Sequence, residues 1–277
     1  MDLPFNRVGI VGVGLIGGSL GLAIKKSDPS VHVVGIGRSK ARLALAERMG
    51  AIDSSGTGFE GLGDCDLVFL AMPVPQIIDA LKLIGRFLKP GTVVTDVGST
   101  KREITSAAWS SLPAGVEFIG GHPVAGREVA GVENSLASLF EGAPYVICPR
   151  PETTSPALPK LEPLLRRLRA RTCLMTPDEH DRAIAWVSHL PQLLSTTLAN
   201  VVGDKRTDIS GGGLRDMLRL AASPYSIWQG IVDTNRDNIE QALESFAAHL
   251  QRIRCQLKDD VLSKEFDRAN RSQAKVR

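Results

Sequence analysis

Val8-Gly9-Ile10-Val11-Gly12-Val13-Gly14-Leu15-Ile16-Gly17-Gly18-Ser19-Leu20 is the stretch from which the fold is read. Val8 to Val11 is a short apolar run of the kind that forms a buried parallel strand. A GxGxxG pattern follows at once and opens onto apolar helix positions at Leu15, Ile16, Leu20, Leu22, Ala23 and Ile24. Gly12 permits a tight turn, Gly14 lets the backbone approach a pyrophosphate, and Gly17 lets helix pack closely on strand. The helix start, at Leu15 and Ile16, then offers unpaired N–H groups to the phosphates. The motif alone is weak. Here a second strand-like run, Val31 to Ile36, follows the helix, and the whole reads as a dinucleotide site.

The end of that second run selects the cofactor. A carboxylate there accepts from the ribose 2′-OH of NAD. Ile36-Gly37-Arg38-Ser39-Lys40 has none. Arg38 and Ser39, with Lys40 or Arg42 nearby, suit a 2′-phosphate, which a guanidinium grips bidentately. The alternative has Arg38 stacking on the adenine or facing water. NADP is therefore favoured, with NAD as the alternative.

The β–α alternation continues. A helix over Lys40 to Met49 precedes a strand at Leu67 to Ala71, whose end, Met72-Pro73, is expected to lie along the cofactor. A helix over Gln76 to Leu88, a strand at Thr92 to Asp96, the segment Val97-Gly98-Ser99-Thr100-Lys101 and a helix over Arg102 to Trp109 follow. Tyr145 to Cys148 and Thr172 to Met175 read as later strands around a helix at Leu158 to Leu168. Short loops and alternation imply an open, mostly parallel sheet with ligands beyond the carboxyl ends of its strands. Gly12, Pro73, Ser99 and His122 all follow strand ends, so they meet at one rim.

Gly120-Gly121-His122-Pro123-Val124-Ala125-Gly126-Arg127-Glu128 closes the run Val116 to Ile119. Its glycines and proline predict a turn with bare backbone, and His122, Arg127 and Glu128 are candidates for a small polar site. A solvated histidine on a surface turn is the plain alternative.

After Thr176 the pattern turns helical. Thr176-Pro177-Asp178-Glu179 is a capped helix start. Apolar residues recur at Ile184, Val187, Leu190, Leu194, Leu198 and Val201, and Pro191 is expected to kink the helix where Ser188, His189 and Gln192 cluster. Gly211-Gly212-Gly213 reads as a flexible loop. Arg215 and Arg219 beyond it share a helix face and suit a carboxylate, unless they form a solvated face with Asp216 paired to Arg219. A last helix carries a narrow seam at Ile239, Leu243, Phe246, Leu250, Ile253 and Leu257, expected to form a homodimer. The tail after Asp260 is charged and expected to fray. The expectation is an α/β chain: a Rossmann-like dinucleotide-binding domain over 1–175, and an all-helical substrate-capping and dimerisation domain over 176–277.

Composition narrows the function classes. With 33 basic and 30 acidic residues, the net charge of +3 is too balanced for nucleic-acid binding. The four cysteines form no CxxC pair, and no metal site is expected. No apolar run reaches the ~18 residues of a membrane span. Met1 to Arg7 has no signal-peptide character, so a cytoplasmic protein acting on a small molecule is expected.

With these residues in hand, the chain resembles the prephenate/arogenate (cyclohexadienyl) dehydrogenase family of tyrosine biosynthesis. The motifs that carry the resemblance are Gly12 to Ser19, Asp96-Val97-Gly98-Ser99-Thr100-Lys101, Gly121 to Gly126, Val187-Ser188-His189-Leu190-Pro191, and Gly211 to Asp216 running on to Arg219 and Trp228. The resemblance implies NAD(P)-dependent oxidative decarboxylation of a cyclohexadienol. It implies that His122 takes the C4 hydroxyl proton and that Ser99 orients it beside the nicotinamide. It implies that Arg219 grips a substrate carboxylate and that Glu128 is an acidic residue of the site. Gly212, Arg215, Asp216 and Trp228 match positions lining the pocket, some from a partner subunit. The family's SHLPH motif often ends in a second histidine; here Gln192 stands there, near the substrate side chain, which leaves prephenate, arogenate or both open. No regulatory or mutase segment is read, so a monofunctional enzyme is expected, with any feedback by tyrosine acting at the active site.

Two other readings compete. A hydroxyacid dehydrogenase or imine reductase of this architecture carries a catalytic lysine on the long interdomain helix, and Ile184 to Ala199 has none. A non-catalytic dinucleotide sensor has no need of Ser99, His122 and Arg219 together.

Overall fold

The computed structural model describes residues 4–127, 129–151, 155–205, 207–257 and 262–274. The first half alternates β1 (Arg7–Val11), α1 (Leu15–Ser27), β2 (His32–Ile36), α2 (Lys40–Arg48), β3 (Ser54–Gly56), β4 (Leu67–Leu70), α3 (Val74–Ile84), β5 (Val93–Asp96), α4 (Arg102–Ser111) and β6 (Glu117–Pro123). Then come β7 (Pro144–Cys148), α5 (Leu158–Arg167) and β8 (Arg171–Leu174). The strands form one eight-stranded sheet in the order β3-β2-β1-β4-β5-β6-β7-β8. Every pairing is parallel except β6 with β7, so β7 and β8 run against the rest.

Successive strand side chains point to opposite faces, and both faces are covered. Val8, Ile10, Val33 and Phe69 pack on one side with Leu20 and Ile24 of α1 and Leu161, Leu164 and Leu165 of α5. Val11, Val34, Val68 and Leu70 pack on the other with Ile77, Leu81 and Ile84 of α3 and Ile104 and Ala108 of α4. Each fully buried aliphatic side chain contributes about 1.5–3 kcal/mol.

The second half is helical: α6 (Pro177–Ile184), a π turn at Ala185–His189, α7 (Leu190–Val202), α8 (Gly212–Leu218), a 3-10 turn at Arg219–Ala222, α9 (Tyr225–Thr234), α10 (Arg236–Gln256) and α11 (Leu262–Gln273). Among the described residues no helix is long and apolar enough to cross a membrane.

Several expectations need correction. His122 does not lie in a turn. β6 continues through it because β7 pairs against it, with His122 opposite Val146 and Gly121 opposite Ile147. Gly212 and Gly213 are helical, and only Gly211 stands outside, as the N-cap of α8. Residues 262–273 form a helix rather than a frayed tail. The short polar strand β3 went unread because it carries no apolar pattern. Pro191 sits in the first turn of α7, where its missing N–H is harmless, and the irregularity lies just before it in the π turn.

Candidate functional site

The carboxyl ends of the parallel strands make one rim. On it, Gly12 has φ +93°, the left-handed region that favours glycine. A Cβ there would lie 2.7 Å from Met72 Cγ, so no larger residue fits the turn. The space beside Gly14, the N-cap of α1, is open. A cavity of about 770 Å³ begins at this loop and is lined onward by Arg38, Ser39, Arg42, Met72 and Pro73. Its shape and donors fit a dinucleotide. The bare Gly12–Gly14 backbone faces the helix N-terminus where a pyrophosphate binds, and exposed Arg38 and Arg42 stand at the end of β2. Ser39 serves first as the N-cap of α2, its Oγ accepting from Arg42 N at 3.4 Å.

Further along the rim, Asp96 and Lys101 are both wholly buried and ion-paired. Lys101 Nζ also donates to the Gly121 carbonyl at 2.8 Å. The Asp96 carboxylate accepts from Gly121 N at 3.0 Å and Gly98 N at 2.8 Å. The pair therefore holds both main-chain groups of the residue before His122. It also meets the rule that a buried charge must be paired and hydrogen-bonded. A Cβ on Gly121 would lie 2.5 Å from the Asp96 carbonyl, so only glycine fits.

His122 is buried, and its ring is held from the helical half. Its Nδ1 lies 2.8 Å from His180 Nε2, and His180 Nδ1 lies 2.7 Å from Asp181 Oδ1. A full capping box at Thr176 and Glu179 fixes the start of α6, and so the direction of His180 and Asp181. Asp181 also accepts from Lys101 N at 2.7 Å and Arg102 N at 2.9 Å, at the start of α4. Burial raises its pKa, but the His180 bond and these two N–H groups outweigh it and hold the carboxyl below its usual value. Burial, followed by His180 and Lys101, pushes His122 well below the ordinary histidine value. Burial also lowers His180, with Asp181 opposing it.

Asn235 ties in the remaining helices. Its Nδ2 donates to Asp181 O at 2.8 Å and lies 3.3 Å from His189 Nδ1. His189 is buried edge-on to Trp228, with ring centroids 5.8 Å apart, and burial brings its pKa to about 4. Its Nε2 has no hydrogen-bond partner among the described residues. The π turn points His189, Gln192 and Ser195 inward and leaves Val187 70% exposed, although the apolar spacing had placed Val187 on the buried stripe.

The expected site residues separate into groups. His122, Ser99 and the glycine loop share the rim, with Ser99 half-buried after β5. The ring of His122 is engaged at Nδ1 by His180. Gln192 Nε2 donates to Leu220 O at 2.8 Å and Thr196 Oγ1 at 3.3 Å. Ser188 and Trp228 are half-buried, and Trp228 Nε1 donates to Ser223 Oγ at 3.0 Å. Gly212, Arg215, Asp216 and Arg219 are exposed on α8 and the turn after it. Glu128 lies outside the described residues. His180, Asp181, Asp96 and Lys101 were missed as site residues. The one sequence signal for the first two was a His-Asp pair one turn into a capped helix.

Comparison with known proteins agrees with this architecture. Residues 20–174 match the family model for the nucleotide-binding domain of prephenate dehydrogenase, and residues 176–268 match the model for its dimerization domain. The chain is 32% identical over 262 residues to prephenate dehydrogenase of Bacillus subtilis, covering 92% of this chain and 71% of that protein. It is 34% identical to the Lactococcus lactis enzyme, covering 90% and 70%. The structure of Aquifex aeolicus prephenate dehydrogenase in complex with hydroxyphenyl propionate and NAD+ superposes with a TM-score of 0.92 at 27% identity, covering 100% of both chains. A GxGxxG sheet, a buried histidine on its rim and a helical half that orients that histidine thus coincide with two family models in succession, and the chain belongs to the prephenate dehydrogenase family.

Proposed function

We propose that this chain is a prephenate dehydrogenase, catalysing NAD(P)-dependent oxidative decarboxylation of prephenate to 4-hydroxyphenylpyruvate. The observation that carries the reading is the His122 imidazole, buried and neutral on the rim of a dinucleotide-binding sheet. A neutral imidazole whose Nδ1 is engaged by the protein has Nε2 left to accept a proton from a substrate hydroxyl. Removing the C4 hydroxyl proton drives carbonyl formation there as the C4 hydrogen departs as hydride, and loss of the C1 carboxylate as CO2 makes the ring aromatic.

Gly14, Leu15 and Ile16 hold the pyrophosphate, with Gly12 turning the chain and Gly17 packing the helix on the strand, and Met72 and Pro73 lie along the nucleotide. When bound, the nicotinamide supplies a hydride acceptor. Arg38 and Ser39 favour the 2′-phosphate of NADP over NAD, since the end of β2 offers no carboxylate. Ser99, on the same rim as His122, lies close to the nicotinamide, and Arg219 binds a substrate carboxylate. Glu128, Ser188, Gly212, Arg215, Asp216 and Trp228 complete the pocket. We divide the chain at 175/176 into a dinucleotide-binding and a helical domain. The helical one forms a homodimer through the α10 seam, where Phe246, Leu250 and Leu257 are 36%, 56% and 64% exposed.

A second reading, arogenate as substrate, is favoured by one observation. The amide protons of Gln192 are committed to Leu220 O and Thr196 Oγ1. The side chain is thus left with its oxygen, an acceptor that suits an ammonium better than a keto acid. The test is reduced-nicotinamide absorbance with prephenate or arogenate, each with NAD or NADP. Turnover with prephenate supports the first reading, and turnover with arogenate alone replaces it with the second. Silence in all four mixtures, with cofactor binding intact, overturns both.

A further inference from the structure

His122 does not stand alone: its Nδ1 is the first contact in a buried chain that ends at a carboxylate. The polarity of that chain follows from the far end. Asp181 accepts main-chain N–H bonds at both carboxylate oxygens, from Lys101 at 2.7 Å and Arg102 at 2.9 Å, and is therefore ionised and acceptor-only. His180 Nδ1, 2.7 Å from Asp181 Oδ1, must carry the proton of that bond. A neutral His180 with a proton on Nδ1 has a lone pair on Nε2. His122 Nδ1, 2.8 Å away, must then be the donor. His122 is left with its lone pair on Nε2, the nitrogen that turns away from the chain.

The surroundings also decide where positive charge rests. His122 faces Lys101 from the loop after β5 and His180 and His189 from the helical half, and all three oppose a proton on it. Among the described residues, no carboxylate is in hydrogen-bond contact with the ring. The Asp96 carboxylate is spent on Lys101, Gly98 and Gly121. His180 faces the same Lys101 but has Asp181 against its Nδ1, and Asp181 in turn carries Arg102, itself paired with Asp237.

We propose that His180, with Asp181 behind it, is a positioning residue for the base. It locks His122 in the Nδ1–H tautomer and takes the positive charge once the base has accepted a proton. The step balances. As His122 Nε2 gains the substrate proton, its Nδ1 proton passes to His180 Nε2. The imidazolium is then His180, ion-paired to Asp181, and His122 is neutral again, protonated on Nε2. Nothing is oxidised or reduced in the transfer. The inference rests on the reading of His122 as the base.

The experiment has two arms. In the first, wild-type protein labelled with ¹⁵N-histidine gives long-range ¹H–¹⁵N spectra at pH 8, with the signals of His122 and His180 assigned by their loss in His122→Asn and His180→Gln. The expected result is both rings in the Nδ1–H form; His122 in the Nε2–H form overturns the proposal. This arm needs no substrate, so it still decides if prephenate is not turned over. The failure of the proposed reaction and the failure of the relay are thereby told apart.

In the second arm, His180→Gln keeps an oxygen to accept from His122 Nδ1 but cannot hold a proton. The expected kcat falls about 10–100-fold, with KM for prephenate and Kd for NAD+ within about threefold of wild type. The acid limb of kcat/KM moves to lower pH, because the remaining proton site is His122 alone, whose charged form is disfavoured. A merely structural lesion lowers kcat without moving that limb. An unchanged limb, or kcat within twofold of wild type, overturns the proposal.

Discussion

Lys101 Nζ donates to the main-chain oxygen of Gly121 at 2.8 Å, one residue before His122. The side chain is wholly buried, and Asp96 neutralises it. Removing one partner of such a pair leaves the other charge uncompensated, at a cost of about 3–5 kcal/mol. Lys101→Met is therefore expected to lower stability by that amount in denaturant titration. A loss below about 1 kcal/mol would show the pair to be dispensable.

Gly121→Ala tests the same contact by steric means. The added methyl would lie 2.5 Å from the Asp96 carbonyl and 2.8 Å from Thr95 Oγ1. Overpacking of this kind costs about 1–3 kcal/mol, and here it also displaces His122. Both stability and kcat are expected to fall together; wild-type behaviour in both would mean that the strand yields freely.

His122→Asn removes the proposed base while leaving the glycine loop untouched. Turnover should drop on the order of 10²–10⁴-fold with cofactor affinity nearly unchanged. Near-normal turnover would end the assignment.

Arg219→Ala and Arg38→Ala separate the two ends of the site. The first is expected to raise KM for substrate with little effect on cofactor binding. The second is expected to weaken NADP far more than NAD. Titration of each variant with both nucleotides reads this, and equal loss of NAD and NADP in Arg38→Ala counts against 2′-phosphate recognition.

Acid should destabilise the fold earlier than carboxylate titration alone predicts. Burial lowers the pKa of His122, His180 and His189, the last to about 4. In the unfolded chain the same rings titrate near 6.5. Between about pH 6.5 and pH 4 the unfolded state binds more protons, so stability falls as pH falls through that window. Each such histidine contributes up to about 1.4 kcal/mol per pH unit. A stability curve flat from pH 6.5 to 4.5 would contradict the buried neutral state.

The nucleotide-binding half was legible because its signals are local. A strand, three spaced glycines and an amphipathic helix sit within one continuous stretch, and the missing carboxylate after β2 is read from a few adjacent residues. His122 was read as a candidate from its own motif, but its setting was not legible there. The strand runs through it only because β7, more than twenty residues later, pairs against it, and no local pattern reports that pairing. His180 and Asp181 went unread because they directly follow the acidic first turn of a capped helix, where charged residues are expected from the helix dipole alone. Their partners at Lys101 and His122 are about eighty and sixty residues away. Lys101 stood in a quoted motif, yet nothing in spacing says that a lysine is to be buried. Gly212 and Gly213 read as a loop on composition, and packing of α8 on α7 overrode it.

Asp181 belongs to the helical half, yet its carboxylate is anchored on the first turn of α4 in the other half. The orientation of the His122 ring is therefore a property of the joint between the two halves. Drawing them apart would strip Asp181 of its anchor and leave the rings of His180 and His122 free to turn. A fragment ending before Thr176 would keep the glycine cradle and the histidine but lose the His180 contact at its Nδ1. The cleft cannot loosen there and keep that ring fixed: in this chain, assembly of the halves and orientation of His122 are one event.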